Sequence, residues 1–281
     1  MVITNISPQS NIVTAQSGSN QATARTHEWQ TDSLAAAAAN AVAEGDDATS
    51  SAVTPTTRLQ NSTQILRKTY QISDTEEVIS KAGRGTESGY QTEKNLRELA
   101  NDIEYALVIN ASEVTGASGT ARQMKGVLGF IATNVTTGTG TGNEALTESM
   151  LNDNLSAVWA QGGMPSMILC GAFQKRQISS FTTNTREVAA TDKEVTRAID
   201  IYRSDFGTVA VKLHHILNTT APGTLIVLGD MSLWNKSWLR PVMREELART
   251  GSSRKFMIEA ELTLESRQEA GSGKITELTT A

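Results

Sequence analysis

The sequence predicts a mixed α+β fold, and three features of the chain lead to that class. Residues 256–264 alternate apolar and polar side chains, which is typical of a strand with one face in water. Residues 96–107 place apolar side chains at spacings of three and four, which is typical of an amphipathic helix. Long stretches rich in Gly, Thr, Ser and Asn show neither period. Helices, strands and long connections therefore share one chain.

Composition limits the classes of protein that fit. The 281 residues are 38% hydrophobic, enough for one substantial core or two smaller cores that share strands. Aromatic residues make up only 5%, so we expect part of the stabilising contact to lie between subunits. The net charge is -5 without a block of Lys and Arg, which argues against tight DNA binding. Cys170 is the only cysteine, which excludes an intrachain disulfide and a thiolate zinc site.

The N-terminal region is acidic and poor in bases. Before Arg58 the only base is Arg25, against five acidic residues, and the first lysine is Lys68. The sequence has no apolar run of the ~20 residues that a membrane helix requires. Its first residues lack the basic start and apolar core of a signal peptide. We therefore expect a protein that neither spans a membrane nor is exported by such a signal.

The first quarter of the chain predicts an arm followed by a long loop. Residues 1–28 are rich in Asn, Ser, Thr and Gln without a sustained period, so we expect an extended arm. Residues 27–34 alternate like a strand, residues 35–56 are mostly small, and residues 58–73 form a second extended run, which together predict a hairpin-like loop. Such a hairpin is marginally stable alone. Trp29 has few large apolar neighbours in sequence, so we expect it to pack outside its own segment.

The central part predicts two helices separated by a loop. The stronger helix spans about 86–110. Residues 113–142 are rich in Gly, Thr and Ser and are predicted as loop with one buried anchor near residues 127–131. A second amphipathic helix fits residues 145–161, with Asn143 as its N-cap and Trp159 on its apolar face.

The second half alternates strands and helices. We expect strands at PSMILC, FGTVAVKLHHIL and TLIVLG, a short helix around residues 173–181, and a helix containing Trp234 and Trp238 before Pro241. In FMIEAELTL the residues expected to face water are Met257, Glu259, Glu261, Thr263 and Glu265. The text GSGKIT at 271–276 is predicted to be a hairpin turn.

The sequence offers no convergent chemical site. His214 and His215 are adjacent in a predicted strand, so their side chains should point to opposite faces and not chelate one metal. There is no GxSxG nucleophile elbow, and GSGKIT lacks the Ser or Thr after lysine and the earlier Gly of a phosphate-binding loop. Adjacent acidic pairs fall on predicted surface, where nothing would tune their pKa values. We therefore expect no catalytic, cofactor-binding or metal-binding residues, and no cofactor.

Several stretches of the sequence resemble a subfamily of large-phage major capsid proteins, and the similarity spans nearly the whole chain. They are HEWQTDSL, RLQNSTQI, EEVISKAGRGTESGYQTEKNLRELANDIEYAL, GVLGFIATN, IYRSDFGTVAV, LRPVMREELARTGSSRKFMIEAELTLE and GKITEL. The segment ITNISP near the start also matches, although such proteins usually carry more residues before it, as expected for a processed or shortened form. The order of predicted elements resembles the Hong Kong phage-type major capsid fold.

That resemblance implies a division of the chain. Residues 1–28 would be the N-arm and 29–73 the E-loop. Residues 74–142 and 247–281 would form the peripheral (P) domain with the long helix as its spine, and residues 143–246 the axial (A) domain. It also implies capsomers in an icosahedral lattice, a portal, scaffold or decoration proteins as partners, weak non-specific contact with packaged DNA, no membrane partner, and a virion protein assembled in the host cytoplasm.

The resemblance also suggests which residues meet neighbouring subunits. We expect inter-subunit contacts at Trp29, Arg58, Gln64, Ile65 and Arg67. Some capsids of this fold link an E-loop lysine to a neighbour's asparagine, but here Lys68 lies well down the returning strand, so we expect a noncovalent shell. Three alternatives remain: an encapsulin-like protein nanocompartment, a soluble hydrolase, and a tail or decoration protein.

Overall fold

A computed structural model describes residues 11–48, 50, 52–53, 55–80, 85–138, 144–181 and 201–280. Within these residues the helices are α1 (Ile12–Gln16), α2 (Asp74–Val78), α3 (Glu87–Ile109), α4 (Val127–Phe130), α5 (Glu148–Ala160), α6 (Ala172–Ser180) and α7 (His215–Thr220). The strands are β1 (Gly18–Gln21), β2 (Thr26–Thr31), β3 (Thr57–Ser62), β4 (Gln64–Ser73), β5 (Asn134–Thr137), β6 (Met167–Cys170), β7 (Ile201–Ser204), β8 (Gly207–Leu213), β9 (Leu225–Leu228), β10 (Trp234–Leu247), β11 (Ser253–Ser266) and β12 (Gly273–Thr276). The mixed α+β class is confirmed.

A four-stranded sheet in the order β1-β10-β11-β4 packs against the long helix α3. β11 pairs antiparallel with both β10 and β4, and β1 joins the edge in parallel with β10. The inward side chains of β11 and the apolar face of α3 are fully or almost fully buried; they include Ile258, Ala260, Leu262, Leu99, Ile103 and Leu107. These apolar contacts hold the helix across the sheet.

A six-stranded mixed sheet in the order β5-β12-β9-β6-β8-β7 forms the second layer. Its central strands β6 and β9 are buried at every residue. One face, with Ile168 and Val227, packs against α5, while the other, with Leu169 and Ile226, joins the core beneath α3. The two cores therefore share strands, which is one of the two arrangements that the composition allowed.

The hairpin-like loop is confirmed as a separate two-stranded sheet. β2 and β3 pair antiparallel from Thr26↔Ser62 to Thr31↔Thr57. Between them, the described residues of 32–56 form no helix or strand, and Leu34 is fully exposed. The hairpin therefore has almost no apolar core of its own and must be held at its root.

The predicted spine helix is confirmed with bounds close to those expected. It spans Glu87–Ile109, and Thr86 caps it by accepting a hydrogen bond from the Gly89 backbone at 3.3 Å. The second helix is also present, but it begins later than predicted. Thr147 is its N-cap, so the prediction for Asn143 is wrong, and Asn143 itself lies outside the described residues. Trp159 is 58% exposed rather than buried, because it lies beyond the apolar face formed by Leu151 and Leu155.

The region around Trp234 and Trp238 is a strand and not the predicted helix. Both residues belong to β10, which continues through Pro241 to Leu247. A spacing of four fits one face of a helix, but it also fits one face of a strand, so the pattern was ambiguous. Pro241 lies within a register irregularity between Arg240 and Met243, where the missing N–H breaks no regular ladder.

Three further local predictions differ from the structure. β8 ends at Leu213, so His214 and His215 do not continue the strand; His214 caps α7 and His215 is exposed on it. The GSGKIT text is not a hairpin turn, since Gly273–Thr276 is a strand paired with β5 and β9. Within residues 11–28 the arm is not uniformly extended, because α1 and β1 fold onto the body of the same chain.

Candidate functional site

The outer face of β11 contains two acidic residues that the alternating pattern assigned to water. Glu261 is 4% exposed and Glu265 is 6% exposed, and Thr263 between them is fully buried. The prediction that these three residues form a wet face is therefore wrong. They are covered because the root of the β2–β3 hairpin lies over this half of β11. We call Glu261, Thr263, Glu265, Arg122 and Arg240 the hairpin socket.

Glu261 lies at one end of the hairpin socket and carries a paired negative charge. Its carboxylate accepts hydrogen bonds from Arg122 Nη2 at 2.7 Å, Thr63 Oγ1 at 2.8 Å and Arg240 Nε at 2.9 Å. Burial alone would raise the pKa of this carboxyl, but the Thr63 and Arg240 hydrogen bonds and the two guanidinium charges outweigh it. The pKa of Glu261 is therefore lowered, and the carboxylate stays charged near neutral pH.

Thr63 is the residue at which the returning strand leaves the hairpin and enters the body. It lies between β3 and β4, and its backbone N–H donates to Arg25 O at 2.8 Å. This bond connects the chain segment that enters the hairpin with the segment that leaves it. Its hydroxyl also accepts from Arg122 Nη1 at 3.1 Å. Thr63 is fully buried, so these bonds are shielded from competing water.

Glu265 holds the outgoing strand at the other end of the hairpin socket. Its carboxylate lies 3.1 Å from His27 Nε2 and accepts from Asn20 Nδ2 and Arg267 Nε, both at 3.2 Å. Burial would raise the pKa of Glu265, but the hydrogen bonds from His27, Arg267 and Asn20 lower it overall. The β2 strand is thereby fixed through His27.

Two further side chains connect the root to backbone groups. Asn61 is fully buried; its Nδ2 donates to Leu264 O at 2.8 Å and to Lys125 O at 3.0 Å, and its Oδ1 accepts from Lys125 N at 2.8 Å. Trp29 Nε1 donates to Ser266 O at 2.8 Å, and its ring lies 6.1 Å from that of Phe130. The prediction that Trp29 packs outside its own segment is confirmed.

The five residues predicted to contact neighbours do not form one cluster. Trp29 and Gln64 face their own chain, and Gln64 Oε1 accepts from Asn110 Nδ2 at 2.9 Å and Met124 N at 3.2 Å. Arg58 faces Glu28 across the hairpin at 3.3 Å. Ile65, which is 45% exposed, and Arg67 project from the same outer face of β4. Their contact with another subunit remains a prediction.

The hairpin socket itself could not be found from the sequence. Glu261 and Glu265 have the spacing of an ordinary wet strand face, and Arg122 lies far from both in sequence. Asn61 and Thr63 carry no pattern that separates them from other polar strand residues. Only the position of the hairpin over β11 distinguishes these side chains.

Ser237 and His27 lie beside Glu265 of the hairpin socket, but not in the arrangement of a hydrolytic relay. Ser237 Oγ lies 3.3 Å from His27 Nε2, and Glu265 Oε2 lies 3.1 Å from the same nitrogen. A relay requires the acid and the nucleophile on different ring nitrogens.

Across the described residues no group of three or more His, Cys, Asp or Glu could hold a metal ion. In the same part of the chain, no helix is long and apolar enough to cross a membrane. The geometry suits mechanical fixation.

Comparison with known proteins identifies relatives over almost the full length. A family model described as SU10 major capsid protein matches residues 1–279. The major capsid protein of Escherichia phage Phieco32 is 25% identical over 319 residues, covering 95% of this chain and 90% of that protein. The capsid of a native GTA particle superposes with a TM-score of 0.66 at 10% identity, covering 98% of this chain and 92% of that chain. The capsid of Myoviridae phage XM1 gives 0.64 at 11% identity, covering 98% and 94%.

Proposed function

The chain belongs to the SU10 major capsid protein family and is the major capsid protein of a tailed phage, and from that premise we propose that its copies form pentamers and hexamers of an icosahedral head enclosing double-stranded DNA. The fold is of the Hong Kong phage type, as in its structural neighbours. An encapsulin-like nanocompartment is not favoured, since the family and its relatives are phage capsid proteins. The role is structural, without catalysis.

The observation that carries this proposal is the β2–β3 hairpin, whose root is fixed by the hairpin socket. Between β2 and β3 the large apolar side chains are mostly exposed: Leu34 is 100%, Val53 92% and Val42 68% exposed. Exposed apolar groups of this kind favour burial against another chain. A loop that is firmly fixed at its root and unpartnered at its tip suits a contact with the next subunit in a lattice.

We further propose the division into domains that the resemblance implied. Residues 1–28 act as the N-arm and 29–73 as the E-loop; residues 74–142 and 247–281 form the peripheral domain, and 143–246 the axial domain. β11 with α3 supports the peripheral assignment, and β6, β7, β8 and β9 support the axial one, while β10, which lies almost wholly within 143–246, pairs with β11 in the four-stranded sheet. Residues near this boundary share strands, since β5 and β12 lie in the second sheet.

The inter-subunit contacts follow from exposure. Arg58, Ile65 and Arg67 reach the neighbouring subunit directly, and their exposure on the hairpin and on the outer face of β4 supports this. The partly buried Trp29 and Gln64 support these contacts from within the subunit, because their bonds to Ser266 and Asn110 hold β2 and the start of β4. Apolar burial, rather than exposed ion pairs of ~0.2–1 kcal/mol, supplies most of the contact energy.

Other partners belong to the finished head. A portal, and scaffold or decoration proteins, join the shell, which assembles in the host cytoplasm and becomes part of the virion. Packaged DNA meets the inner surface by weak non-specific contact, which suits a net charge of -5.

Assembly is tested by sedimentation and electron microscopy of the purified full chain. We expect closed particles built from pentamers and hexamers, in equilibrium with capsomers that depends on salt and concentration. A compact monomer under all salt conditions, at concentrations sufficient for assembly, would contradict the proposal. A tubular or spherical particle filled with a protein cargo instead of DNA, isolated from infected cells, would favour the compartment alternative.

A further inference from the structure

The first described part of the arm is a short helix that its own chain holds. α1 has five residues, and a helix of that length is unstable alone. Val13 within it is fully buried in the core shared by α3 and the sheets. This segment of the arm is therefore held by its own chain.

Glu104 of α3 binds the beginning of α1. Its Oε1 accepts from Val13 N at 2.8 Å, and its Oε2 accepts from Thr14 N at 2.7 Å and Thr14 Oγ1 at 2.5 Å. Glu104 is fully buried in the C-terminal part of the spine helix. Burial would raise the pKa of its carboxyl, but hydrogen bonds from His214, Thr14 and Val13 lower it. A charged carboxylate thus meets the positive end of α1.

His214 adds a third element to the same carboxylate. Its Nε2 lies 2.9 Å from Glu104 Oε1, and its Nδ1 accepts the Leu217 N–H at 3.3 Å. A ring nitrogen that accepts a hydrogen bond carries no proton, so Nδ1 accepts from Leu217 and Nε2 is the nitrogen that donates to Glu104. The start of α7 is thereby tied to the start of α1.

Lys236 of β10 binds the other end of α1. Its Nζ donates to Thr14 O at 2.9 Å and Ser17 O at 3.0 Å, and these carbonyls lie where the helix has its negative end. Partial burial lowers the pKa of Lys236, while the nearby Glu104 charge opposes that change. The Glu104 carboxylate therefore lies at the partly positive start of α1, and the Lys236 ammonium lies at its partly negative end.

We propose that Glu104, His214 and Lys236 are positioning residues that fix where the N-terminal arm leaves the subunit. The three come from α3, the start of α7 and β10, so they set α1 against both sheets at once. β1 then continues the arm along β10, from Gly18↔Asn235 to Gln21↔Trp238. The inference rests on the proposed function in one respect: the arm must reach other subunits for its direction to affect the shell.

Glu104→Gln tests the clamp without changing side-chain size. Four donors converge on two carboxylate oxygens, and an amide has one oxygen, so its NH2 group must face donors in either orientation. We expect amides of residues 11–17 to exchange with deuterium about ten- to hundredfold faster, while spine amides 99–107 keep their protection. The matched control is Glu98→Gln on the same helix, whose side chain is 43% exposed.

The second measurement is shell formation by the same proteins, counted as closed particles in micrographs. We expect Glu104→Gln to form several-fold fewer closed shells than Glu98→Gln. Lys236→Met, which keeps the aliphatic stem but removes the donor to Thr14 and Ser17, gives the same two effects if Glu104→Gln does not fold.

Two results would overturn the proposal. One is wild-type protection of residues 11–17 in both variants. The other is faster exchange there with an unchanged yield and shape of shells. If the wild-type chain forms no shells at all, the proposed function fails, while the exchange measurement still decides whether the clamp holds α1.

Discussion

Glu104, Glu261 and Glu265 stay charged in surroundings that exclude most water. For each of them burial raises the pKa, and several converging hydrogen bonds outweigh that effect. Removing one such carboxylate leaves its partners without an acceptor, which costs more than the bond itself contributed. Single substitutions at these positions therefore report on the clamp and the hairpin socket more sharply than substitutions in the apolar core.

Glu261→Gln should destabilise the unassembled subunit in a pH-dependent way. Because the folded pKa is lowered, the carboxylate stabilises the fold above the unfolded glutamate pKa of about 4.3, and this contribution is lost as pH falls through the folded pKa. The groups facing it are Thr63, Arg122 and Arg240. We expect a loss of about 1–3 kcal/mol at pH 7 that shrinks between about pH 5 and pH 3.

Denaturant unfolding at several pH values checks this prediction. Glu245→Gln on the exposed part of β10 is the control, and it should differ little from wild type. A Glu261→Gln deficit that stays constant down to pH 3 would show that the charge is not what matters.

Cys170 should be inert in the folded protein. Its side chain is fully buried in β6, and burial raises the pKa of its thiol to about 12, against a smaller opposing effect of Lys175. At pH 8 the thiolate fraction is roughly a thousandfold below that of an ordinary cysteine, before access is considered. A chromogenic thiol reagent should therefore label the chain only after denaturation, and rapid labelling of native subunits would contradict the burial of β6.

The hairpin should lose its fixed root when Asn61 is truncated. Asn61→Ala removes a buried hydrogen bond to Leu264 O and two partly buried ones to Lys125, and it leaves these backbone groups without the Asn61 side chain as a partner. We expect a loss of about 2–4 kcal/mol in subunit stability, with proteolysis in residues 32–56 and at the hairpin root. Gln60→Ala, one residue away on the exposed side of β3, is the control. Equal protease resistance of the two variants would mean that Asn61 does not hold the root.

Elements whose apolar spacing fits only a helix or only a strand could be predicted, and elements whose apolar spacing fits both could not. α3 was predicted because Leu96, Leu99 and Ile103 combine spacings of three and four, and a spacing of three would put neighbouring apolar residues on opposite faces of a strand. β10 was not, because the spacing of Trp234 and Trp238 fits both elements. β11 was predicted as a strand, yet its covered face was not, because alternation says which residues share a face and never what lies over it.

The candidate sites combine side chains that lie far apart in the sequence, so no local sequence pattern predicts them. Glu104 meets residues 90 and 91 positions earlier and one 110 positions later in the chain. Glu261 likewise collects Thr63 and Arg122 from distant loops. The residue pattern predicted an arm and a loop and the resemblance supplied the fold, but only the packed structure shows which buried charges hold them.

At the scale of the whole molecule, the subunit holds its arm and its hairpin at their roots and leaves the hairpin tip unburied. The charges that fix the roots lie inside the chain, while the apolar side chains of the tip remain exposed. The roots are therefore fixed within the single subunit, and the exposed side chains of the hairpin are available for the contacts proposed between subunits. Because part of the apolar contact is left to the exposed hairpin, a chain with 5% aromatic residues can suffice for a shell protein.

The shell should be locked without covalent bonds between subunits. Residues 1–67 contain no lysine, and Lys68 faces its own spine helix, with Nζ 2.7 Å from Asp102 Oδ2. The only thiol, Cys170, is fully buried within its own subunit. An amide link from the loop or a lattice of disulfides therefore has no available donor. Purified shells boiled in detergent with and without reductant should give one band at the monomer mass of 30.1 kDa. A ladder of multimers that resists boiling and reduction would show that a lysine outside the hairpin forms the link.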